Sequence, residues 1–259
     1  MKFGAVLLSV VPVRAEPSDR AEMVTQLLFG ELVVIHQKYE QWINIRNVFD
    51  NYEGWVDSKQ VEAIEEAEFN RLRSAKIRYI SSPVDVIQNK TANQFLPVLA
   101  GSTLRNNGES SFEMAGMIFS FDGETKNPDQ PAKYEDLLGT AMTFLNAPYL
   151  WGGKTVFGID CSGFMQVVFM LSGIQLLRDA SMQATSGETV NFMAEARPGD
   201  LVFFDNKEGE IVHAGMIIDN NEIIHASGRV RIDTIDHQGI YNRLLKKYTH
   251  NLRVIKRVL

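Results

Sequence analysis

The chain has 259 residues, enough for two or three small domains with a sizeable core. Apolar residues make up 45% and charged residues 22%, as in ordinary globular proteins, and no run reaches the roughly 20 apolar residues that a membrane span needs. A net charge of −6 argues against nucleic acid and anionic membrane surfaces as partners, and a single cysteine excludes an internal disulfide.

At the start, Met1-Lys2, the mostly apolar Phe3 to Pro12 and then Val13-Arg14-Ala15 have the outline of a short export signal. Arg14 interrupts the cleavage region, however, and Leu8 to Pro17 reads equally as a first strand. The expectation is no signal and a cytoplasmic protein, with a periplasmic or exported protein as the alternative. Apolar runs at Leu7 to Val13, Leu32 to His36, Trp42 to Val48 and Gly54 to Val56 alternate with turn residues such as Glu16-Pro17-Ser18 and Asp50-Asn51, which predicts a small β-barrel over residues 1–57. The charged run from Ser58 to Phe69 consists of good helix formers and predicts a linker helix over 58–75.

Short apolar runs return at Ile77 to Ile80, Asp85 to Ile87, Phe95 to Leu99 and Met117 to Phe121, with turns at Asn106-Asn107-Gly108 and Asp122-Gly123. They predict a second, more divergent barrel over 76–124. Thr125 to Pro131 reads as a linker, Tyr134 to Leu145 as a helix, and 132–259 as the last domain. There, Ala180 to Glu195 is a polar connection and Leu252 to Leu259 a half-buried closing strand.

The chemistry gathers around the only cysteine. Cys161 follows Pro148, Gly152, Gly153 and Gly158, which are turn and close-approach residues, and precedes Ser162-Gly163 and an apolar run from Phe164 to Leu171 that Gly173 ends. This predicts a buried helix starting at Cys161, where the helix dipole and orphan N–H groups favour a thiolate. A lone cysteine is often simply a small buried hydrophobe. Two histidines downstream argue otherwise. His213 lies in Glu210 to Ile218 and His225 in Glu222 to Ala226, two β-branched runs joined by Asp219-Asn220-Asn221, which predicts a hairpin carrying both rings on neighbouring strands. Cysteine, base and an orienting group form a triad for nucleophilic catalysis. The competing chemistry is a catalytic zinc on the same three residues, although no ligand-pair spacing such as Cys-x-x-Cys supports it. His36, His237 and His250 have no motif around them and read as surface or structural residues.

Four stretches in order, Pro148-Tyr149-Leu150-Trp151-Gly152-Gly153, Gly158-Ile159-Asp160-Cys161-Ser162-Gly163-Phe164, Arg197-Pro198-Gly199-Asp200-Leu201-Val202-Phe203-Phe204, and His213-Ala214-Gly215-Met216 with His225-Ala226, resemble the NlpC/P60 cysteine peptidases. Val13-Arg14-Ala15-Glu16-Pro17, Gly30-Glu31, Trp42-Ile43 and Gly54-Trp55-Val56 resemble a bacterial SH3 domain, the usual companion of that family. The resemblance implies an α+β fold, with a papain-like NlpC/P60 catalytic domain preceded by two small SH3-like β-barrels. It implies Cys161 as nucleophile, His213 as base paired with it as imidazolium, His225 as orienting residue and Tyr149 beside them as an oxyanion donor; Tyr149 as plain packing fits the sequence equally well. It calls for no cofactor and no metal.

On the substrate side, Asp160 and Ser162 offer a carboxylate and a hydroxyl next to the nucleophile, suited to an ammonium group. Asp160 as a helix cap is the plainer alternative. In some family members with an SH3 domain in front, those two positions hold a free peptide N-terminus, and a Glu and a Tyr of the first β-domain close the pocket. By pattern these are Glu22 and Tyr52. The resemblance therefore implies an endopeptidase, expected to be a monomer, that cuts the γ-D-glutamyl–diamino-acid bond of small murein peptides beginning with L-alanine. The alternatives are a hydrolase of intact peptidoglycan outside the cytoplasm and a catalytically vestigial module that binds wall fragments.

Overall fold

The computed structural model describes residues 2–130, 133–243 and 245–259. Two units, residues 1–128 and 129–259, emerge from the pattern of contacts along the chain.

In the first unit, seven antiparallel strands lie in the order Met23–Leu28, Val10–Arg14, Glu53–Asp57, Trp42–Asn47, Leu32–Tyr39, Phe3–Ala5 and Glu62–Ile64. Alternation decides the inner face: Val11 and Val13 are buried where their neighbours are less so, and they meet Leu27, Val33, Ile43, Ile45 and Val56 in one cluster. The region expected to form a second barrel contains a four-stranded sheet (Gln94–Leu99, Val84–Asn89, Met117–Ser120, Ser111–Met114) and a three-stranded one (Thr103–Leu104, Arg78–Ile80, Thr125–Lys126).

The expected linker helix is corrected in two ways. Only Glu66–Ser74 is α-helical; Ser58–Gln60 is a 3-10 turn capped by Asp57, and Glu62–Ile64 is a strand paired with Phe3–Ala5. Backbone pairing and the burial of Val61 and Ile64 override the helix propensity of the charged run. Nor is the helix a free connector. Phe69 and Leu72 are buried in a cluster that joins Ala5 and Leu32 of the first sheet, and Phe29 in the turn between two of its strands, to Ile80, Ile87 and Phe119 of the second region. The expected linker after Gly123 likewise begins as the Thr125–Lys126 strand, while its end at Pro131 and the domain start at 132 lie outside the described residues.

The second unit is mixed, mostly sheet. Its antiparallel strands run Glu188–Val190, Lys247–Arg257, Leu201–Asp205, Ile211–Asp219, Glu222–Ser227, Arg229–Asp236 and Gly239–Asn242, and Lys247–Arg257 also pairs with Gly239–Asn242, closing six of them on themselves. The expected hairpin is present, with Asn220 and Asn221 at its turn. The polar connection is partly ordered, as Ala180–Gln183 is helical and Glu188–Val190 pairs with the closing strand. The Cys161–Met170 helix lies on the Ile211–Asp219 and Glu222–Ser227 strands, and this contact brings the cysteine to the histidine hairpin.

Candidate active site

All ten residues of the Cys161–Met170 helix are buried, as its apolar composition requires, and Gly173 follows it at φ +80°. Asp160 caps the helix: the Gly163 N–H donates to its Oδ1 at 2.7 Å. The helix start is pressed against the preceding loop, because a Cβ at Gly163 would stand 2.4 Å from the Gly153 carbonyl oxygen. Cys161 is thus held at a fixed place, with Sγ 4.0 Å from the Val212 carbonyl oxygen, one residue from His213.

A buried arginine dominates the other side of this helix start. Arg178 donates from Nη1 to Asp160 Oδ1 (3.0 Å) and to Ser162 Oγ (2.9 Å), and from Nη2 to Asp160 Oδ2 (2.6 Å). The Gly152 N–H adds a bond to Oδ2 at 2.9 Å, and the Gln183 side chain donates to the Ser162 carbonyl at 2.9 Å. Asp160 and Ser162, expected to stand open beside the nucleophile, are only 5% and 6% exposed and form the anchor of the helix start. The guanidinium fork matches the carboxylate and neutralises it, which is how a buried carboxylate is tolerated. The sequence reading missed Arg178; its one signal is a cation directly after the apolar pair Leu176-Leu177.

The two histidines meet. His213 Nε2 lies 2.8 Å from His225 Nδ1, and His225 Nε2 lies 3.0 Å from Asp233 Oδ2. Gly215 permits the approach, since a Cβ there would be 3.0 Å from the His225 Cβ. Arg231 donates from Nη2 to Asp233 Oδ1 at 2.7 Å. The facing nitrogens of the two rings are engaged with each other, not turned to a common centre, so the chelate that the zinc alternative needs is not formed by this arrangement. His250, expected to be a surface or structural residue, is half-buried and stacks on His213 with ring centroids 4.2 Å apart and planes at 25°, while Phe204 flanks both rings. Asp233 and Arg231 carried a sequence signal, two charges two apart on the strand after His225. His250 carried none, because closure of the sheet brings it in.

Electrostatics overturn the expected resting thiolate. Burial, and then the neighbouring Asp160, push the Cys161 thiol up to about 11, although backbone N–H groups of Ala214 and Ser162 pull the other way. Burial, followed by the neighbouring imidazoles, holds His213 well below the ordinary histidine value. His250 is lowered to about 4, again by burial first. Burial also lowers His225, against the pull of Asp233. Asp233 itself is raised by burial, but hydrogen bonds from His225 and Arg231 leave it below its ordinary value. The resting pair is therefore a neutral thiol and a neutral imidazole. A raised thiol loses its proton only as pH climbs towards 11, and a lowered imidazole gains one only as pH falls below 6.5. A broad activity plateau between those limits is expected, with no thiolate ultraviolet absorbance at neutral pH. A thiolate band at neutral pH that disappears in Cys161→Ala would contradict it.

Tyr149 is half-buried, and its phenol is pushed up to about 12 by burial and then by Cys161 and Asp160, so it remains an O–H donor beside the sulfur. Glu22 is exposed, ahead of the Met23–Leu28 strand, and Tyr52 is half-buried, its N–H donating to Asp50 Oδ1 at 3.0 Å. Both belong to the first unit.

A model of the NlpC/P60 family matches residues 146–249, and one described as the bacterial dipeptidyl-peptidase Sh3 domain matches residues 13–61. The gamma-D-glutamyl-L-lysine dipeptidyl-peptidase of Bacillus subtilis (strain 168) is 30% identical, over 78% of this chain and 71% of the relative. Dipeptidyl-peptidase 6 of Lysinibacillus sphaericus is 25% identical, over 90% of this chain and 92% of its own. In fold, the chain is similar to the crystal structure of an NlpC/P60 family protein from Bacillus cereus ATCC 10987, with a TM-score of 0.83 at 20% identity and 99% coverage of both chains.

Proposed function

From the premise that this chain belongs to the NlpC/P60 family, we propose that it is a cysteine endopeptidase that cuts the γ-D-glutamyl–diamino-acid bond of small murein peptides with a free N-terminal L-alanine. The observation that carries the reading is the His213–His225 pair, 2.8 Å apart, on the hairpin that packs against the helix starting at Cys161. Cys161 attacks the scissile carbonyl carbon while His213 takes the thiol proton, and the same imidazolium returns it to the leaving amine. A second molecule of reaction, water, then hydrolyses the thioester. Tyr149 O–H and backbone N–H groups at the helix start are the donors proposed for the oxyanion. The substrate class is supported by the names of the Bacillus subtilis and Lysinibacillus sphaericus relatives and by an SH3 domain of dipeptidyl-peptidase type. The same reading makes the enzyme a cytoplasmic monomer acting on soluble wall fragments.

Glu22, Tyr52, Asp160 and Ser162 enter as substrate residues by resemblance. Arg178 offsets the Asp160 charge, so among these residues the preference for a free amine is assigned chiefly to Glu22. The experiment compares kcat/KM for L-Ala-γ-D-Glu-diamino-acid peptide, its N-acetyl form and intact sacculi. The free peptide should win by at least about thirtyfold, the factor that roughly 2 kcal/mol of charge-assisted binding implies. Glu22→Gln should narrow that gap. Equal rates on acetylated peptide or sacculi would favour the wall-hydrolase alternative, and no turnover of any of them the vestigial binding module.

A further inference from the structure

His213, His225 and Asp233 form a chain of hydrogen bonds with separations of 2.8 and 3.0 Å. Arg231, on the same strand as Asp233, donates from Nη2 to the other carboxylate oxygen at 2.7 Å, and its Nε lies 2.7 Å from the oxygen that His225 uses, without an aligned hydrogen bond. A neutral imidazole has one N–H and one bare nitrogen, so each ring in such a chain donates at one end only. An ionised carboxylate accepts and never donates, which puts the His225 proton on Nε2. His225 Nδ1 is then bare and accepts from His213 Nε2–H. The His213 proton is thereby held on Nε2, and Nδ1 is left with its lone pair, available for the thiol proton in the proposed reaction.

We infer that Asp233, held by Arg231, sets the tautomer of the general base through His225. Asp233 is a positioning residue: it touches neither sulfur nor substrate. Its burial at 9% exposure and its two donors, one a ring and one a guanidinium, keep it in the accepting form. The inference rests on reading His213 as the base, but the ring tautomers it specifies exist whether or not a peptide is cut.

Asp233→Asn tests it. Arg231 has only donors, and its aligned N–H is the Nη2 one facing the Oδ1 position, so the amide oxygen stays there and the amide N–H group turns towards His225 Nε2. Both rings must then switch, and His213 presents an N–H at Nδ1 instead of a lone pair. The expected result is a fall in kcat on the order of 10²–10⁴-fold with KM little changed, the size seen when a base is forced into the wrong tautomer. Adding Arg231→Met frees the amide to rotate and offer its oxygen, and should recover about tenfold or more of the loss. A purely structural role would make the double variant worse than the single one. Asp233→Asn within about threefold of the parent rate, or a double variant no faster than Asp233→Asn, would overturn the inference. Nitrogen NMR of the imidazole rings in Cys161→Ala reads the tautomers without turnover. Protonation of both rings at Nε2 is expected, and a proton on Nδ1 of either ring would overturn the inference even if Asp233→Asn does not fold.

Discussion

Cys161→Ala abolishes turnover while the protein keeps its fold and still binds peptide: this is the largest effect expected from any single change. The sulfur is the only proposed nucleophile, and no other cysteine exists to replace it. The fold should survive because the helix start is anchored elsewhere, by the Asp160 cap, the Arg178 fork and the close contact of Gly163 with the Gly153 carbonyl. The measurement is hydrolysis of the tripeptide by purified variant, with thermal melting and peptide binding as controls. Measurable turnover would end the cysteine-peptidase reading. Alkylation of the wild-type thiol should stop the reaction, whereas chelators should leave it unchanged; a rate lost to chelation and restored by zinc would revive the metal alternative.

His213→Ala should cost on the order of 10⁴-fold in kcat, because general-base contributions run to about 10²–10⁴-fold and a triad fails as a unit. His225 touches the reacting proton only through His213 and should matter less. The chemistry of the replacement should show. In His225→Gln the amide oxygen can accept from His213 Nε2–H and the amide N–H can donate to Asp233, preserving both bonds of the native ring. His225→Ala preserves neither: it takes from Asp233 the ring N–H that bonds Oδ2, leaving Arg231 as its remaining donor, and takes from His213 Nε2 its acceptor. The expected order of activity is therefore parent, His225→Gln, His225→Ala, His213→Ala. Equal losses at His213 and His225 would mean that the two histidines have been assigned the wrong way round.

The neutral resting pair bears on both expectations. With the thiol raised and the imidazole lowered, reactivity does not depend on a standing thiolate. It depends on moving one proton from sulfur to His213 as the peptide carbonyl is attacked. The positive ring so formed lies against His250, which is itself lowered to about 4 and hence uncharged at neutral pH. A neutral aromatic face beside a developing cation is favourable, whereas a second cation there would oppose the transfer.

By itself the sequence determined what is written in local patterns. The helix at Cys161 was legible from its glycine-rich approach, apolar run and terminating Gly173. The histidine hairpin was legible from two β-branched runs around Asp219-Asn220-Asn221, and the first β-region from period-two strands. Each is a short-range signal, and the motifs at Cys161, His213 and His225 carry the family. What required tertiary structure is whatever depends on partners distant along the chain. Glu62–Ile64 became a strand because Phe3–Ala5 lies beside it, against its own helix propensity. Asp160 became a paired anchor because the loop after the helix returns Arg178 to it, a distance of 18 residues. His250 reached the base because Lys247–Arg257 closes the sheet, and Asp233 reached His225 because strand register placed it there. Even the charge state of the nucleophile was decided this way. The helix N-terminus favours a thiolate locally, but burial by the rest of the fold raises the cost of that charge, and the burial wins.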